Sequence, residues 1–573
     1  MPDDWTKRAA RRSPEIAAAI LAVLALAAVW LPDELPMVDL PEHRAIAAEL
    51  SGLDADPPDT AFAPFHAERG PSAVYGATYY RLAALTNRPG SIARLELSLA
   101  LLAWVAGALA LSRRLRASAR LASLAAPLFF GMAWHWGFLP WLVALPALPW
   151  TLWAAATLRE PSPDRRRGIV RWLVLLASVA FAAVTHLALA AVAWIGAAAL
   201  LWPRERRAAA LGRWAGRVAL AALPMASLAA AQLASGRPHV PLPARPTEWP
   251  AALERLRSLL DWSVPGPLPW LGILFLGLVG ILALAELLAA IPPDRRPSDS
   301  FAAREGTVDS RLSTVDAPAS RRRLCAFAGL LGLACLFLPR QTGDLHFAAE
   351  RLVTPLLLVL CAVVAGVRRA GPSRLAGSAP TLAWLAAVAV AATVLIAQTS
   401  ASIGFSAEVG NLDRIADLIP RGSRVLVLPI DVRSDAVRRD VPFHLHTASR
   451  VIERRGGIIS IPPLANVGMP VEPTAAGRRA LVVPELGQGV LASILQRLGD
   501  WDCVLVYARG GFPSAALAPL ARHLRPVLPP EHPGGPYAGP WFLLEVLGGR
   551  DAPQAPYALD AARAPVRYPD PSR

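Results

Sequence analysis

Apolar residues run through this chain in long blocks, separated by short stretches rich in arginine. Eleven blocks approach the roughly 20 apolar residues that cross a bilayer core. They cover 15–31, 93–112, 121–138, 139–158, 171–186, 187–202, 214–233, 269–291, 324–339, 353–367 and 380–399. The pattern predicts a polytopic α-helical membrane protein with about 11 transmembrane helices. The first block is too long for a signal-peptide core and closes on no small-residue cleavage site, so it reads as a retained anchor. Blocks 171–186 and 187–202 are short, about 24 Å each at ~1.5 Å per residue. Fusing them into one span would reverse the sidedness of everything that follows.

Beyond residue 400 the pattern changes to short elements with strong turn punctuation. Continuous apolar runs predict strands at Arg424–Ile430, Ile458–Ile461, Asp502–Tyr507 and Trp541–Leu547. Helical patterns lie at Asn411–Ile419, Thr447–Arg455, Val490–Leu498 and Ser514–Leu524. This predicts a transmembrane domain over 1–400 and a C-terminal α/β domain over 405–573 with a largely parallel sheet. The transmembrane domain would include a long first outside loop, 32–92, carrying membrane-surface helices. The segment 292–320, rich in Ser, Asp, Arg and Pro, reads as disordered.

Composition agrees. The 573 residues are 54% hydrophobic and 18% charged, which excludes an ordinary soluble protein. The net charge of +15 would point to nucleic acid in a soluble chain. Here the arginines alternate with the apolar blocks, so they read as topology signals and no nucleic-acid partner is expected. Basic groups follow every second block: Arg113, Arg114, Arg116 and Arg120; Arg165 to Arg167; Arg204, Arg206 and Arg207; Arg295 and Arg296 with Arg321 to Arg323; Arg368 and Arg369. The N-terminus is therefore expected in the cytoplasm and the C-terminal domain outside, in a bacterial inner (plasma) membrane. The four cysteines form no CxxC pair, so neither a zinc knuckle nor a structural disulfide is expected. The tail has no P-loop, and Gly487-Gln488-Gly489 lacks the third glycine of a dinucleotide fingerprint.

Chemistry concentrates after the first block, in Asp33-Glu34-Leu35-Pro36-Met37-Val38-Asp39-Leu40-Pro41-Glu42-His43. Asp39 to Glu42 has the spacing of a capping box, with Asp39 as N-cap and Glu42 at N3. The helix would continue through Ile46, Leu50 and Leu53. A carboxylate so fixed is also suited to general-base work on an acceptor hydroxyl, which makes Asp39 the first catalytic candidate, with Asp33 and Glu34 beside it. Glu42 and His43 are candidates for binding substrate, and Asp39, Glu42 and His43 together offer ligands to a divalent metal. No motif makes a cofactor certain.

A second group lies in the short outside loop 340–352. Arg351, with Arg340 and His346, can bind a lipid phosphate, because the guanidinium fork matches phosphate oxygens; the alternative for Arg351 is a snorkelling interfacial arginine. Tyr75, Tyr79, Tyr80 and Arg81 read as an interfacial cluster, and His135 and His186 as polar tips at outside turns. His444 and His446 have no carboxylate or cysteine spaced to complete a metal site, so they read as surface residues of the tail.

These features together resemble the GT-C superfamily of membrane glycosyltransferases. The resemblance rests on many spans, a long first outside loop with an acidic start, and a soluble tail outside. Leu31-Pro32-Asp33-Glu34 and Asp39-Leu40-Pro41-Glu42-His43 are similar to the family's acidic motif, the second in the Asp-x-Pro-x-His form of bacterial members. The stretch from His446 to Gly457 also resembles tails of such proteins. What the resemblance implies is sugar transfer from a polyprenyl-phosphate donor to an outside glycan, lipid or protein acceptor, with inversion. In that scheme Asp39 takes the acceptor proton and Arg351, with His346, stabilises the leaving phosphate.

Two other classes compete. A non-catalytic scaffold or accessory subunit of envelope polysaccharide assembly would use the tail as a binding module and the capping box only as structure. A transporter would carry charges inside its spans; the blocks hold very few, among them Glu286 near a cytoplasmic end and Glu96 with Arg94 near an outside end, and no inverted repeat is visible.

Overall fold

The computed structural model describes residues 2–67, 76–159, 165–203, 207–234, 252–290, 317–339, 341–342, 345–364, 374–460, 471–473, 498–509, 511–527 and 539–547. The protein is a polytopic α-helical membrane protein. Seven described helical stretches are long and apolar enough to cross a membrane: Arg12–Trp30, Pro89–Leu115, Leu139–Leu158, Arg166–Thr185, Ala208–Ala231, Pro269–Leu288 and Ala379–Leu418. Their side chains sort into two faces. On Pro89–Leu115, Leu97, Leu101, Trp104, Ala108 and Leu111 are buried, whereas Leu95, Leu99 and Leu102 on the opposite side are exposed. A helix in water would carry polar groups on that second face; an apolar one suits lipid.

Two expected spans come out differently. The block 121–138 is not one helix. It breaks into Ala119–Ala122, Ala125–Leu128 and Met132–Trp136. Pro127 cannot donate to a helical ladder, and Gly137 turns the chain at φ +77°. Its apolar character reflects burial inside the protein, since nearly every residue from Leu121 to His135 is buried. The block 353–367 forms a helix only over Val353–Val363, about 17 Å at ~1.5 Å per residue, too short to span alone; residues 365–367 lie outside the described residues. The block 139–158 stands as a span-length stretch, with a break in the regular helix between Leu139–Ala144 and Ala147–Leu158. By contrast, 171–202 does divide into two helices, Arg165–Thr185 and Leu187–Leu201, separated by His186 in an extended conformation.

The chain divides into two compact units. One comprises Met1–Leu31, Leu95–Trp134 and Pro140–Ser400; the other comprises Pro32–Arg94, His135–Leu139 and Ala401–Arg573. The first loop thus belongs with the tail.

In this second unit a five-stranded sheet has the order Ile458–Ile459, Arg424–Pro429, Cys503–Tyr507, Trp541–Val546, Leu524–Pro526. The first three strands are parallel and the last two pair antiparallel. The expected largely parallel sheet is therefore mixed. All five residues of Cys503–Tyr507 are buried, as a central strand covered on both faces requires. The expected helix Ser514–Leu524 is shorter: helical turns cover Ser514–Leu520, and Leu524 opens the edge strand. The expected helix Val490–Leu498 lies outside the described residues apart from Leu498; the same is true of the loop 292–320 except for its last residues.

The helix Leu40–Leu53 is the central element of the first loop. Ten of its 14 residues are buried, including Glu42, His43 and Glu49. It packs against Ala77–Thr86 and against the turn and helix Thr447–Arg455 of the tail. Phe65–Ala67 pairs antiparallel with Val471–Pro473, and Gly457 N donates to Ala61 O, so loop and tail also join through backbone.

Candidate functional site

Two groups of buried polar side chains stand out, one in each unit. The first begins where the chain enters the Leu40–Leu53 helix. Val38 N donates to His135 O and Asp39 N to Trp136 O, at 3.0 and 3.1 Å. These bonds hold the segment before the helix against the turn at Gly137.

The expected capping box is not formed. Asp39 sits at φ −87°, ψ −8°, near-helical rather than extended, and its side chain makes no cap bond. A side-chain cap needs the extended conformation, which points the oxygen back at the N2 or N3 amide. Glu42 cannot complete the box either, because the Asp39 amide is already taken by Trp136. Both carboxylates instead face the tail. His446 places Nδ1 2.5 Å from Glu42 Oε1 and Nε2 4.0 Å from Asp39 Oδ1. Glu42 has no exposed surface, and Asp39 is 7% exposed. Burial pulls the His446 imidazolium towards deprotonation, but the Glu42 and Asp39 carboxylates outweigh it and lift its pKa above the ordinary value.

His43 does not join this group. Its Nδ1 lies 2.5 Å from the Tyr80 hydroxyl, and its ring bonds the Gly137 backbone. Burial pushes its pKa down to about 3, helped by the nearby His446, so it is neutral at physiological pH. The imidazole beside the carboxylates is that of His446. Glu49, two turns beyond Glu42 on the same face, is also buried, and burial together with Glu42 raises its pKa well above the carboxylate range.

Glu34 and Asp33 occupy other environments. Arg44 donates to Glu34 Oε2 at 3.0 Å and to Glu453 Oε1 at 2.9 Å. Arg450 pairs with Glu34 Oε1 and, at 2.7 Å, with Asp413 Oδ2. Glu34 is therefore the centre of an ion-pair network that ties loop to tail. Asp33 is exposed, and its backbone carbonyl accepts from Arg94.

The second group lies in the membrane unit. Glu350 and Arg351 form a buried turn ahead of Val353–Val363. Glu350 Oε1 accepts from Arg255 at 3.2 Å and from Ser258 at 3.1 Å. Arg351 Nη1 lies 3.4 Å from His186 Nε2, and the His186 ring meets Trp141 edge to face at 5.0 Å. Arg351 is only 8% exposed, so its charge is held in the interior rather than snorkelling to a surface. His346 contributes backbone to a two-stranded hairpin, Gln341–Thr342 with Leu345–His346. Arg340 and Tyr75 lie outside the described residues.

Sequence reasoning thus missed His446, His186 and Glu49 as site members. His446 and His186 carried no spacing signal, because their partners are distant in the chain. Glu49 did carry one: Asp39, Glu42, Ile46 and Glu49 share one face of the helix.

The architecture has solved counterparts. The arabinofuranosyltransferase AftD from Mycobacteria superposes with a TM-score of 0.52 at 16% identity, over 95% of this chain and 40% of that one. ArnT from Cupriavidus metallidurans in the apo state gives 0.50 at 12% identity, over 95% of this chain and 100% of that one. The fold is GT-C. This chain spans 40% of the length of the mycobacterial protein and the whole of ArnT. No protein-family model matches the sequence, and no curated protein matches it. At these identities the likeness is one of fold.

Proposed function

We propose that this GT-C protein is a membrane glycosyltransferase that moves a sugar from a polyprenyl-phosphate donor to an acceptor outside the cytoplasm. The observation that carries the reading is Asp39: a buried carboxylate at a helix start, beside His446 and Glu42, at the place where the GT-C resemblance puts the acidic motif. Its position is set by backbone bonds to Trp136 and by the Leu40–Leu53 helix, which gives a general base the fixed geometry it needs.

In the proposed reaction Asp39 takes the proton of the acceptor hydroxyl. The acceptor oxygen forms the new bond to the anomeric carbon, and the bond from that carbon to the phosphate oxygen breaks. Polyprenyl phosphate leaves with the bonding pair. Arg351, held beside His186, is the cation that the membrane unit offers to a phosphate oxygen. Glu42 and His43 shape the surroundings of Asp39 rather than reacting. The arginine distribution supports an inner-membrane location with the N-terminus in the cytoplasm and the tail outside.

The test is transfer from radiolabelled polyprenyl-phosphate pentose and hexose donors in membranes containing the protein. Asp39→Asn keeps size and buried packing and removes the base, so transfer is expected to fall by about 10²-fold or more. Wild-type rates in Asp39→Asn would overturn the assignment.

A further inference from the structure

We propose that Arg213 and Arg217 hold the phosphate of one anionic phospholipid at a rim of the membrane unit, beside the bare backbone of Gly216. The two arginines lie on the helix Ala208–Ala234, whose inward stripe is Trp214, Val218, Ala221, Met225 and Leu228. Two hydrogen bonds fix how this helix is turned against Leu187–Leu201. Trp214 Nε1 donates to Ala198 O at 3.1 Å, and Trp194 Nε1 donates to Val218 O at 2.9 Å. Arg213 and Arg217 therefore lie on the opposite side, and both are exposed.

That side meets lipid. Leu220 and Leu223 follow the arginines on the same broad face and are exposed too. The apolar stretch beyond Arg217, 218–234, is about 25 Å long at ~1.5 Å per residue. It fills most of a hydrocarbon core of about 30 Å, so the arginines sit at its boundary. The aromatic rings agree on the level. Trp202, which is exposed, meets Trp214 edge to face at 4.7 Å, and tryptophans gather at headgroup depth.

The charges call for an anion. Arg213 and Arg217 are four residues apart, which brings like charges about 5–6 Å from each other at their bases and destabilises a helix. Among the described residues neither has an ion pair or a hydrogen bond from its side chain. One phosphodiester between the two guanidinium forks relieves the repulsion and accepts from both. Gly216, between them on the helix surface, keeps the seat open: a Cβ there would meet nothing within 4 Å. A second copy of the chain fits this face poorly, because two arginines would face their own counterparts at close range.

The experiment delipidates the full-length protein in detergent and titrates it with phosphatidylglycerol or phosphatidylcholine, reading bound lipid by native mass spectrometry. One equivalent of phosphatidylglycerol per chain is expected to bind ahead of the rest. Phosphatidylcholine should bind about tenfold more weakly, because its choline cation opposes the arginines. Arg213→Gln and Arg217→Gln should each weaken that first equivalent about fivefold, and the double variant about thirtyfold. Gly216→Leu keeps both charges, builds into open space and fills the seat, so it should cost about tenfold. Gly277→Leu, equally open on another span, should change nothing.

The absence of a distinct first equivalent would overturn the proposal, as would equal affinity for the two lipids. Undiminished binding in the double variant or in Gly216→Leu would reduce the arginines to a diffuse surface charge. Dimers that disappear in Gly216→Leu would assign the face to a second copy instead. None of these outcomes depends on which reaction the protein performs.

Discussion

Glu42 and His446 stand 2.5 Å apart, one on the first helix of the first loop and the other on the turn that precedes a helix of the tail. This contact makes the acidic motif a joint product of two distant segments. It also explains why the motif reads as a capping box in sequence and is not one in structure: both acids turn towards the tail imidazole and away from the backbone amides of their own helix.

The ion-pair network beside the motif should act as a structural clamp. Arg450 is almost fully buried and bridges Glu34 to Asp413. Arg450→Met removes the shared cation and leaves Glu34 short of one partner. The expected cost is about 3–5 kcal/mol, the scale for breaking a buried pair from one side. Denaturant unfolding of the detergent-solubilised protein measures it. A cost below ~1 kcal/mol would place the network with surface pairs instead.

Gly137 should control the placement of Asp39 without contributing any polar group. Its φ of +77° disfavours a side chain, and a Cβ there would lie 2.7 Å from Asp39 N and 3.0 Å from Leu40 N. Gly137→Ala must therefore push the helix start away from the turn, in addition to about 1–2 kcal/mol of backbone strain. Transfer is expected to fall by at least tenfold, since small misplacements of a catalytic group are costly. Gly212→Ala, whose Cβ meets nothing within 4 Å, serves as the matched control and should leave the rate unchanged.

Glu350 and Arg351 are neighbours in sequence with opposite expected signatures. Glu350→Ala leaves Arg255 buried without its carboxylate, so it should lower stability by about 3–5 kcal/mol. Arg351→Ala should leave stability much closer to wild type but reduce transfer by about 10²-fold, the scale of losing one donor to a developing charge. Arg351→Lys should recover only part of that loss, because an ammonium lacks the two-pronged fork. Parallel unfolding and transfer assays on the three variants separate the roles.

Cys503 should be chemically silent in the folded protein. It is buried in the central strand, where burial pushes its thiol pKa up to about 12, with Asp502 adding to the shift. The thiolate is the reactive form, so alkylation near pH 8 is expected only after denaturation. Rapid labelling of Cys503 under native conditions, read by mass spectrometry, would contradict the strand placement.

Much of the fold was legible in the residues. Long apolar blocks force helices, because backbone polar groups in lipid must be satisfied within the segment. Short apolar runs between turn residues identified Arg424–Pro429, Cys503–Tyr507 and Trp541–Val546 as strands. Strand direction was not legible: periodicity says that a strand is buried, not which way its neighbour runs. Nor could hydropathy tell lipid from protein interior, and so 121–138 looked like a span although it is a buried chain of short helices.

For the site, the sequence by itself determined which residue types gather after the first span and that Asp39, Glu42 and Glu49 share a helix face. Only the tertiary structure decided their partners. His446, not His43, meets the carboxylates, and His186 meets Arg351, because these contacts depend on how distant segments fold against one another. Helical spacing fixes neighbours three and four residues apart. It carries no information about a histidine contributed by a tail four hundred residues later, and that choice rests on the packing of the Thr447–Arg455 turn and helix against Leu40–Leu53.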